Sequence, residues 1–166
     1  MNDEAKQRAL KILERRDVSR KMLLDKLTEK GISCADAEEV ADWLCGLGVV
    51  NDERFAGLVV RHYAAKGYGK RRIRDELYRR GIDRELWDAA LDELPETDDT
   101  VDRLLSVRLR GAVSPEALQR AQSYLLRRGY SWDEVCAATE RPAPFWRTGW
   151  TARPRSISAA PATVCS

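Results

Sequence analysis

Apolar residues recur at helical spacing through most of the chain. The clearest stretch is residues 51–81, where two successive helices are predicted on either side of a glycine-rich break. The apolar positions of the first are Phe55, Leu58, Val59 and His62 or Tyr63, and those of the second are Ile73 and Leu77. No segment alternates apolar and polar residues as half-buried strands do, so an all-α fold is predicted.

Capping residues and glycines mark where these helices begin and end. Asn51 or Asp52 can cap the first helix of this stretch, because a short polar side chain accepts hydrogen bonds from unpaired backbone N–H groups. A glycine after the last turn can adopt the left-handed conformation that ends many helices. Helices are therefore predicted to end near Gly31, Gly67, Gly81 and Gly129.

Three similar segments indicate an internal repeat. They are LTEKGIS (27–33), LYRRGID (77–83) and LLRRGYS (125–131). Each follows an amphipathic helix and precedes a predicted helix cap. The caps are Ser33 with Asp36, Asp83, and Ser131 with Glu134.

The repeat predicts three tandem modules of three short helices, at residues 4–48, 51–94 and 98–139. A module of this size buries little surface alone, so neighbours must pack on one another in an elongated, gently curved array. Residues 140–166 contain prolines and few aliphatic side chains, which predicts a disordered basic tail. The tail can stack on single-stranded DNA through its tryptophans, or it is an extension without a role.

Charge is separated by helix, although the total is nearly balanced. The chain carries 29 basic and 27 acidic residues, a formal net charge of +2. In every module the predicted second helix is basic and the third is acidic. Residues 66–80 form the most basic stretch, with seven basic and two acidic side chains. Such a surface suits an anionic partner.

A helical wheel of the central basic helix divides its charges into two groups. Ile73 and Leu77 define the buried direction, and Arg71, Arg74 and Tyr78 point away from it on one side. This basic-aromatic patch has the least compensation within its helix. Other arginines of the helix lie beside carboxylates that are expected to neutralise them. These are Arg72 and Arg79, beside Asp75 and Glu76.

The sequence excludes several classes of protein. None of the four cysteines forms a C-x-x-C pair, and there is one histidine, so no metal site is predicted. The cysteines are expected to be buried free thiols in a reducing cytosol. The N-terminus lacks the apolar segment of a secretory signal, and no apolar run is long enough to cross a membrane. A cytoplasmic location without membrane contact is expected.

Two function classes compete with docking onto another macromolecule. A helix-turn-helix DNA-binding protein fits the short helices and tight turns, but its third helix would be acidic and repelled by phosphate. An enzyme lacks support, because His62 is expected to pack beside the apolar stripe and no Walker-type phosphate loop is present. DNA binding therefore remains the alternative, and no catalytic residue is predicted.

The sequence resembles the RecX family, bacterial modulators of the RecA recombinase. The motifs that carry the resemblance are LGVVNDERFA (47–56), KGYGKRRIRDEL (66–77), the recurring L-x-x-[KR]-G and ALKILERRDVSRKMLLDKL (9–27). It extends over about residues 5–139 and is weakest at 97–123. The C-terminus departs from the family pattern, because Pro142 and Pro144 interrupt the position at which a member continues its last helix.

The resemblance implies three tandem three-helix repeats and a regulatory protein without catalytic residues or a cofactor. Such a protein binds in the groove of the RecA–single-stranded-DNA filament and represses strand exchange and ATP hydrolysis. A role in homologous recombination, DNA repair and the SOS response is expected, as a monomer that meets single-stranded DNA weakly or within the filament.

Charge pattern and resemblance together predict two sets of residues. The predicted contacts with the filament or DNA are Lys66, Tyr68, Lys70, Arg71, Arg74, Tyr78, Arg127 and Arg128. The predicted structural residues of the central motif are Asp52, Phe55, Gly67, Gly69, Ile73, Leu77 and Gly81.

Overall fold

The computed structural model describes residues 2–94, 98–109 and 114–140. The helices within these ranges are α1 Asp3–Leu13, α2 Arg20–Glu29, α3 Cys34–Gly46, α4 Asp52–Ala65, α5 Lys70–Arg79, α6 Glu85–Asp92, α7 Asp98–Leu109, α8 Pro115–Arg127 and α9 Trp132–Glu140. No strand occurs in these ranges, so the predicted all-α fold is confirmed. The predicted tail beyond Glu140 lies outside the described residues.

The helices pack as three triplets, which we call module 1 (α1–α3), module 2 (α4–α6) and module 3 (α7–α9). Each module encloses its own hydrophobic cluster. Fully buried leucines lie at the centre of each cluster, among them Leu23 and Leu27, Leu77, and Leu105 and Leu125. Because packing between the triplets is confined to narrow joints, the modules form an elongated array.

The L-x-x-[KR]-G segments form the same helix end in all three modules. Gly31, Gly81 and Gly129 have φ angles of 83°, 65° and 90°, and Gly67 ends α4 with a φ of 75°. In each case the N–H groups of the glycine and of the next residue return to carbonyls of the last turn, as in a Schellman motif. The four helix ends predicted from glycine are therefore confirmed.

Side-chain caps start several helices as predicted. Asn51 caps α4, accepting a hydrogen bond from a first-turn backbone N–H at 2.8 Å. Ser131 and Glu134 form a reciprocal capping box, with distances of 3.2 Å and 2.7 Å. Ser33 accepts a hydrogen bond from the N–H of Asp36 at 3.2 Å before α3. These bonds satisfy donors that the helices leave unpaired.

The predicted cap at Asp83 is wrong. No side-chain hydrogen bond caps α6, and Asp83 contributes its backbone carbonyl to the N–H of Leu86 at 3.1 Å. The residue before the helix, Arg84, already has helical angles of −61° and −30°. The chain thus enters α6 through a turn, whereas a side-chain cap requires an extended residue at that position.

The buried face of α4 differs from the predicted stripe. Leu58 is 39% exposed and His62 is exposed, whereas Ala56, Val59 and Val60 are buried. The helix packs on both α5 and α6, so its buried surface is centred between those two neighbours. The apolar spacing along one helix does not show where the neighbouring helices lie. The predicted burial of Leu58 and His62 is therefore wrong.

Modules 1 and 2 meet where the start of α2 contacts the end of α5. Ser19, the N-cap of α2, is fully buried and donates its hydroxyl proton to the carbonyl of Arg80. The backbone N–H of Arg20 donates to the carboxylate of Asp52 at 2.8 Å. Asp52 therefore joins the two modules, while Asn51 caps α4.

Modules 2 and 3 meet through the equivalent ends of α5 and α8. The N–H of Gly69 donates to the carbonyl of Arg128 at 2.9 Å, and the N–H of Arg71 donates to the carbonyl of Gly129 at 3.1 Å. A β-carbon on Gly69 would overlap Gly129, and one on Gly129 would overlap Arg72. Gly69 caps α5 without a side chain, so the carbonyls of module 3 supply the acceptors that its first turn needs.

The two joints use the same ends of equivalent helices, so α8, α5 and α2 follow one another head to tail. At each joint a carbonyl at the C-terminus of one helix accepts a hydrogen bond from the N-terminus of the next. These ends carry opposite partial charges of the helix dipole, so their contact is electrostatically favourable. The basic second helices of the modules therefore form one row.

Replacing Gly129 by alanine is expected to destabilise the protein more than the same change at Gly48. Both glycines have positive φ angles, 90° and 69°, so each substitution costs about 1–2 kcal/mol of backbone strain. A β-carbon at Gly48 meets open space, whereas one at Gly129 overlaps Arg72 and adds roughly 1–3 kcal/mol. Urea denaturation measures the difference, and equal losses would show that the joint tolerates a side chain.

Candidate partner-binding surface

The outward side of α5 presents exposed arginines and a tyrosine. Arg71 and Arg74 are exposed, and 67% of the surface of Tyr78 is accessible. Ile73 and Leu77, on the opposite side, are fully buried. The orientation predicted from the helical wheel is therefore confirmed, while contact of these side chains with a partner stays a prediction.

The first turn of α5 carries positive charge at the positive end of the helix dipole. It contains Lys70, Arg71 and Arg72 and no acidic residue. An exposed cation at this end is unfavourable by about 0.3–1 kcal/mol. Within the described part of the chain, Lys70 and Arg71 form no ion pair. Their charge is therefore available to an anionic partner.

One buried carboxylate pairs with the other arginines of α5. Glu76 is 6% exposed, and its Oε1 lies 3.1 Å from Arg72 and 3.4 Å from Arg79. Its Oε2 accepts a hydrogen bond from Arg80 at 2.6 Å. Arg80 also donates to the hydroxyl of Tyr63 at 3.2 Å and lies 5.3 Å from the centre of its ring. The predicted pairing of Arg72 and Arg79 with a carboxylate of their own helix is confirmed for Glu76, which compensates one of the three positive charges that it contacts.

These contacts decide the ionisation of Glu76. Burial by itself would raise the pKa of this carboxyl, but hydrogen bonds from Arg80 and Tyr63 and the nearby guanidinium charges outweigh it. The pKa therefore lies below its ordinary value of 4.5. Glu76 is ionised at neutral pH and pairs with three arginines.

Three other exposed cations lie on α5 or on the helices next to it. Arg74 lies 3.5 Å from Asp88 of α6, but their side chains are 49% and 82% exposed, so the ion pair contributes little. Lys66 follows α4, and Arg127 lies in the last turn of α8. We call the following residues the exposed set: Lys66, Lys70, Arg71, Arg74, Tyr78 and Arg127.

The other two predicted contact residues, Tyr68 and Arg128, lie within the joint of modules 2 and 3. The guanidinium of Arg128 donates to the carbonyl of Lys66 and, at 3.2 Å, to that of Gly67. It also lies over the rings of Tyr68 and Tyr124, 4.8 Å and 5.1 Å from their centres. Tyr68 is half-buried against the core of module 2. Both side chains thus have partners inside the chain.

The predicted structural residues lie in the core and at the joints of module 2. Ile73 and Leu77 are fully buried, and Phe55 packs at the edge of the same cluster. Asp52 and Gly81 lie at the joint with module 1, and Gly67 and Gly69 at the joint with module 3. Burial raises the pKa of Asp52 above its ordinary value of 3.8.

Ser19 and Gly129 are two joint residues that belong to neither predicted set, although Gly129 was predicted to end a helix. Ser19 occupies the repeat position of Gly69, and Gly129 that of Gly81. Their places in the two joints follow from this equivalence. Alignment of the repeats was the available indication, but only the folded chain shows that these positions touch.

The described residues also bear on metal and membrane sites. No three His, Cys, Asp or Glu side chains there are grouped as metal ligands. No helix in the same ranges is long and apolar enough to span a bilayer.

The expectation of buried thiols is wrong for Cys34, which is exposed because it opens α3 at the surface. Cys45 and Cys136 are partly buried.

Fold and surface together define an all-helical protein of tandem three-helix modules with a cationic interaction surface. Models of the first and second three-helix domains of RecX match residues 5–44 and 51–91. The chain is 38% identical to regulatory protein RecX of Xanthomonas oryzae pv. oryzae (strain MAFF 311018) over 138 residues, or 80% of this chain and 85% of that protein. It is 41% identical to regulatory protein RecX of Xanthomonas axonopodis pv. citri (strain 306) over 137 residues, or 80% and 84%. The chain belongs to the RecX family of regulatory proteins.

Two solved structures have the same fold. RecX from Lactobacillus salivarius superposes with a TM-score of 0.76 at 22% identity, covering 82% of this chain and 93% of that one. A second regulatory protein RecX gives a TM-score of 0.72 at 24% identity, covering 82% and 70%. At these identities the likeness shows the fold, and it confirms the predicted array of helical modules.

Replacing Arg128 by lysine is expected to destabilise the protein by about 1–2 kcal/mol, because lysine cannot reproduce the forked donors and the stacking of arginine. The matched control is Arg127→Lys, at the exposed neighbour, which should change stability by less than about 0.5 kcal/mol. Thermal unfolding of both variants measures the effect. Equal stabilities would contradict a structural role for Arg128.

The ion pairs of Glu76 predict a pH dependence of stability. Because its folded pKa lies below the unfolded one, the stabilisation is present above the unfolded pKa and is lost as pH falls through the folded pKa. Glu76→Gln should cost about 1–3 kcal/mol at neutral pH and flatten the acid side of the curve. Urea denaturation across pH measures this, and parallel curves for variant and wild type would contradict it.

Proposed function

We propose that this chain regulates RecA by docking along the groove of the RecA–single-stranded-DNA filament, where it inhibits ATP hydrolysis and strand exchange. Membership of the RecX family supports the proposal. The observation that carries it is the division of charge on α5: Glu76 pairs with Arg72, Arg79 and Arg80, while Lys70 and Arg71 have no ion-pair partner among the described residues. A local cost without an internal benefit is expected where a surface serves a partner.

The exposed set has the chemistry of an anion-binding surface. Arginine can donate two parallel hydrogen bonds to a carboxylate or phosphate, which gives orientation as well as attraction. Tyr78 stands beside Arg74 on the same side of α5 and adds an apolar surface to the contact. Tyr68 and Arg128 take part indirectly, because they hold α8 against α5.

The row of second helices suits a long, repetitive partner. Successive modules present equivalent basic helices in a head-to-tail row, so the chain can contact more than one RecA protomer. A bound regulator changes the filament only through different affinities for its states. Inhibition then follows from preferring a filament state that hydrolyses ATP and exchanges strands slowly.

In this proposal the protein acts by binding, and it neither catalyses a reaction nor requires a cofactor. It acts as a cytoplasmic monomer in homologous recombination, DNA repair and the SOS response, and meets single-stranded DNA within the filament. Sequence-specific duplex recognition is not proposed, because α3 carries four acidic residues and no basic one and would be repelled by phosphate.

Reversing the charge of Arg71 and Arg74 with glutamate should weaken docking by about 2–4 kcal/mol, since two attractive contacts with an anionic surface become repulsive. The assay is RecA ATPase on single-stranded DNA against rising concentrations of regulator. The concentration for half inhibition should increase by roughly 30-fold or more. Circular dichroism checks that the variant is folded.

The matched control is Lys6→Glu with Arg54→Glu, which changes the total charge equally. Both residues lie near the N-termini of their helices, α1 and α4, and form surface ion pairs with Asp3 and Asp17, which contribute little. Circular dichroism checks that the control is folded as well. The control should inhibit as wild type does. Equal loss in both variants, or unaltered inhibition by folded Arg71→Glu/Arg74→Glu, would exclude this surface from docking.

A further inference from the structure

A second cationic site lies in module 1 and shares no residue with the exposed set. An open cleft of about 580 Å³ separates α1 from the C-terminal half of α2. Six basic side chains line it: Arg8, Lys11, Arg15, Arg16, Lys26 and Lys30. Glu29 and Ile12 complete the lining, so one carboxylate faces six cations.

Most of these cations have no ion-pair partner in the part of the chain that the structure describes. Arg8 is engaged, since it pairs with Glu4 at 2.5 Å and donates to the carbonyl of Lys30, which ties α1 to the end of α2. Within the described residues the other five form no ion pair. The cleft is therefore held together by Arg8 while the rest of its positive charge stays uncompensated.

Interaction with the helix dipole accounts for the positions of only some of these cations. Lys11 and Lys26 lie in the last turns of α1 and α2, where cations are favourable. Arg15 and Arg16 lie beyond the end of α1 and are exposed. Gathering them with the lysines of α2 around one cleft costs repulsion between like charges, which an anionic ligand would remove.

We propose that this cleft binds the phosphate backbone of single-stranded DNA. No aromatic ring lines it, so bases have nothing to stack on, and recognition rests on phosphates and is independent of sequence. A flexible single strand can bend into a cleft between two helices, whereas a duplex presents a rigid, convex surface. Regularly spaced backbone charges suit cations placed along both walls.

An acidic peptide fits the cleft less well. The main chain of α1 and α2 is hydrogen-bonded within the helices, so the walls offer few backbone groups with which a peptide could pair. Its carboxylates would bind through separate flexible side chains, each losing rotamer freedom. Phosphates of a nucleic acid are part of the backbone itself and avoid much of this cost.

This site goes beyond the proposed function, because it needs no RecA. It would give the chain a second attachment on a nucleoprotein filament, and a second contact on the same chain raises the effective concentration of the first. The test therefore contains no RecA. If it fails, the proposed docking of the exposed set on RecA is unaffected. If the docking proposal fails, this site is unaffected.

The experiment measures anisotropy of a fluorescently labelled oligo-dT with the full chain across salt concentrations. Arg15→Glu with Arg16→Glu should raise Kd about tenfold or more and lower the salt slope by about one to two. Arg15→Lys with Arg16→Lys should stay within about threefold of wild type, because phosphate contact requires charge rather than the arginine fork. Both residues lie beyond the end of α1, and circular dichroism checks that glutamate at these positions leaves the helix folded.

The charge-matched control is Lys6→Glu with Arg120→Glu, two residues outside the cleft. It should bind oligo-dT more tightly than the Arg15→Glu/Arg16→Glu variant by at least about fivefold. Equal binding of the two variants, or no binding by wild type, would overturn the site. Tighter binding of a duplex of equal length, or equal displacement by poly-glutamate, would overturn the assignment to single-stranded DNA.

Discussion

The main-chain contact between the start of one second helix and the end of the next is the constraint on which the array depends. At the joint of modules 2 and 3 it requires glycine on both sides, since a side chain on Gly69 or Gly129 would occupy the space of the opposing backbone. It also supplies acceptors to α5, which has no side-chain cap. Three small cores, each marginal alone, thereby become one protein.

The same contact leaves the first turn of α5 free to carry cations. Carbonyls at the end of α8 face the positive end of α5 and offset part of the unfavourable charge of Lys70 and Arg71. Glu76 pairs with three further arginines of α5 and its C-cap. Structure and proposed docking are therefore linked, because the joint that orders the modules also lowers the electrostatic free energy of the exposed basic turn.

Module 1 extends this pattern with different residues. Its Ser19 replaces the glycine of α5 at the joint, and its hydroxyl makes the bond that an N–H makes between modules 2 and 3. Six of its cations line the cleft between α1 and α2, in addition to Arg20 and Lys21 in the first turn of α2. Equivalent folds thus present positive charge at two different places, which suits a partner that combines protein and nucleic acid.

The sequence by itself determined the helical class, the repeat, the glycine-ended helices and the outward side of α5, because these follow from local spacing and backbone preference. It could not place Leu58, Asp83 or Arg128, since their surroundings come from other helices. The pairing of arginines within α5 was predictable from their spacing, whereas only the tertiary structure showed that Arg128 is occupied by partners in another module. Residues 61 or 62 positions apart, such as Arg128 and the carbonyls of Lys66 and Gly67, meet only when the modules pack.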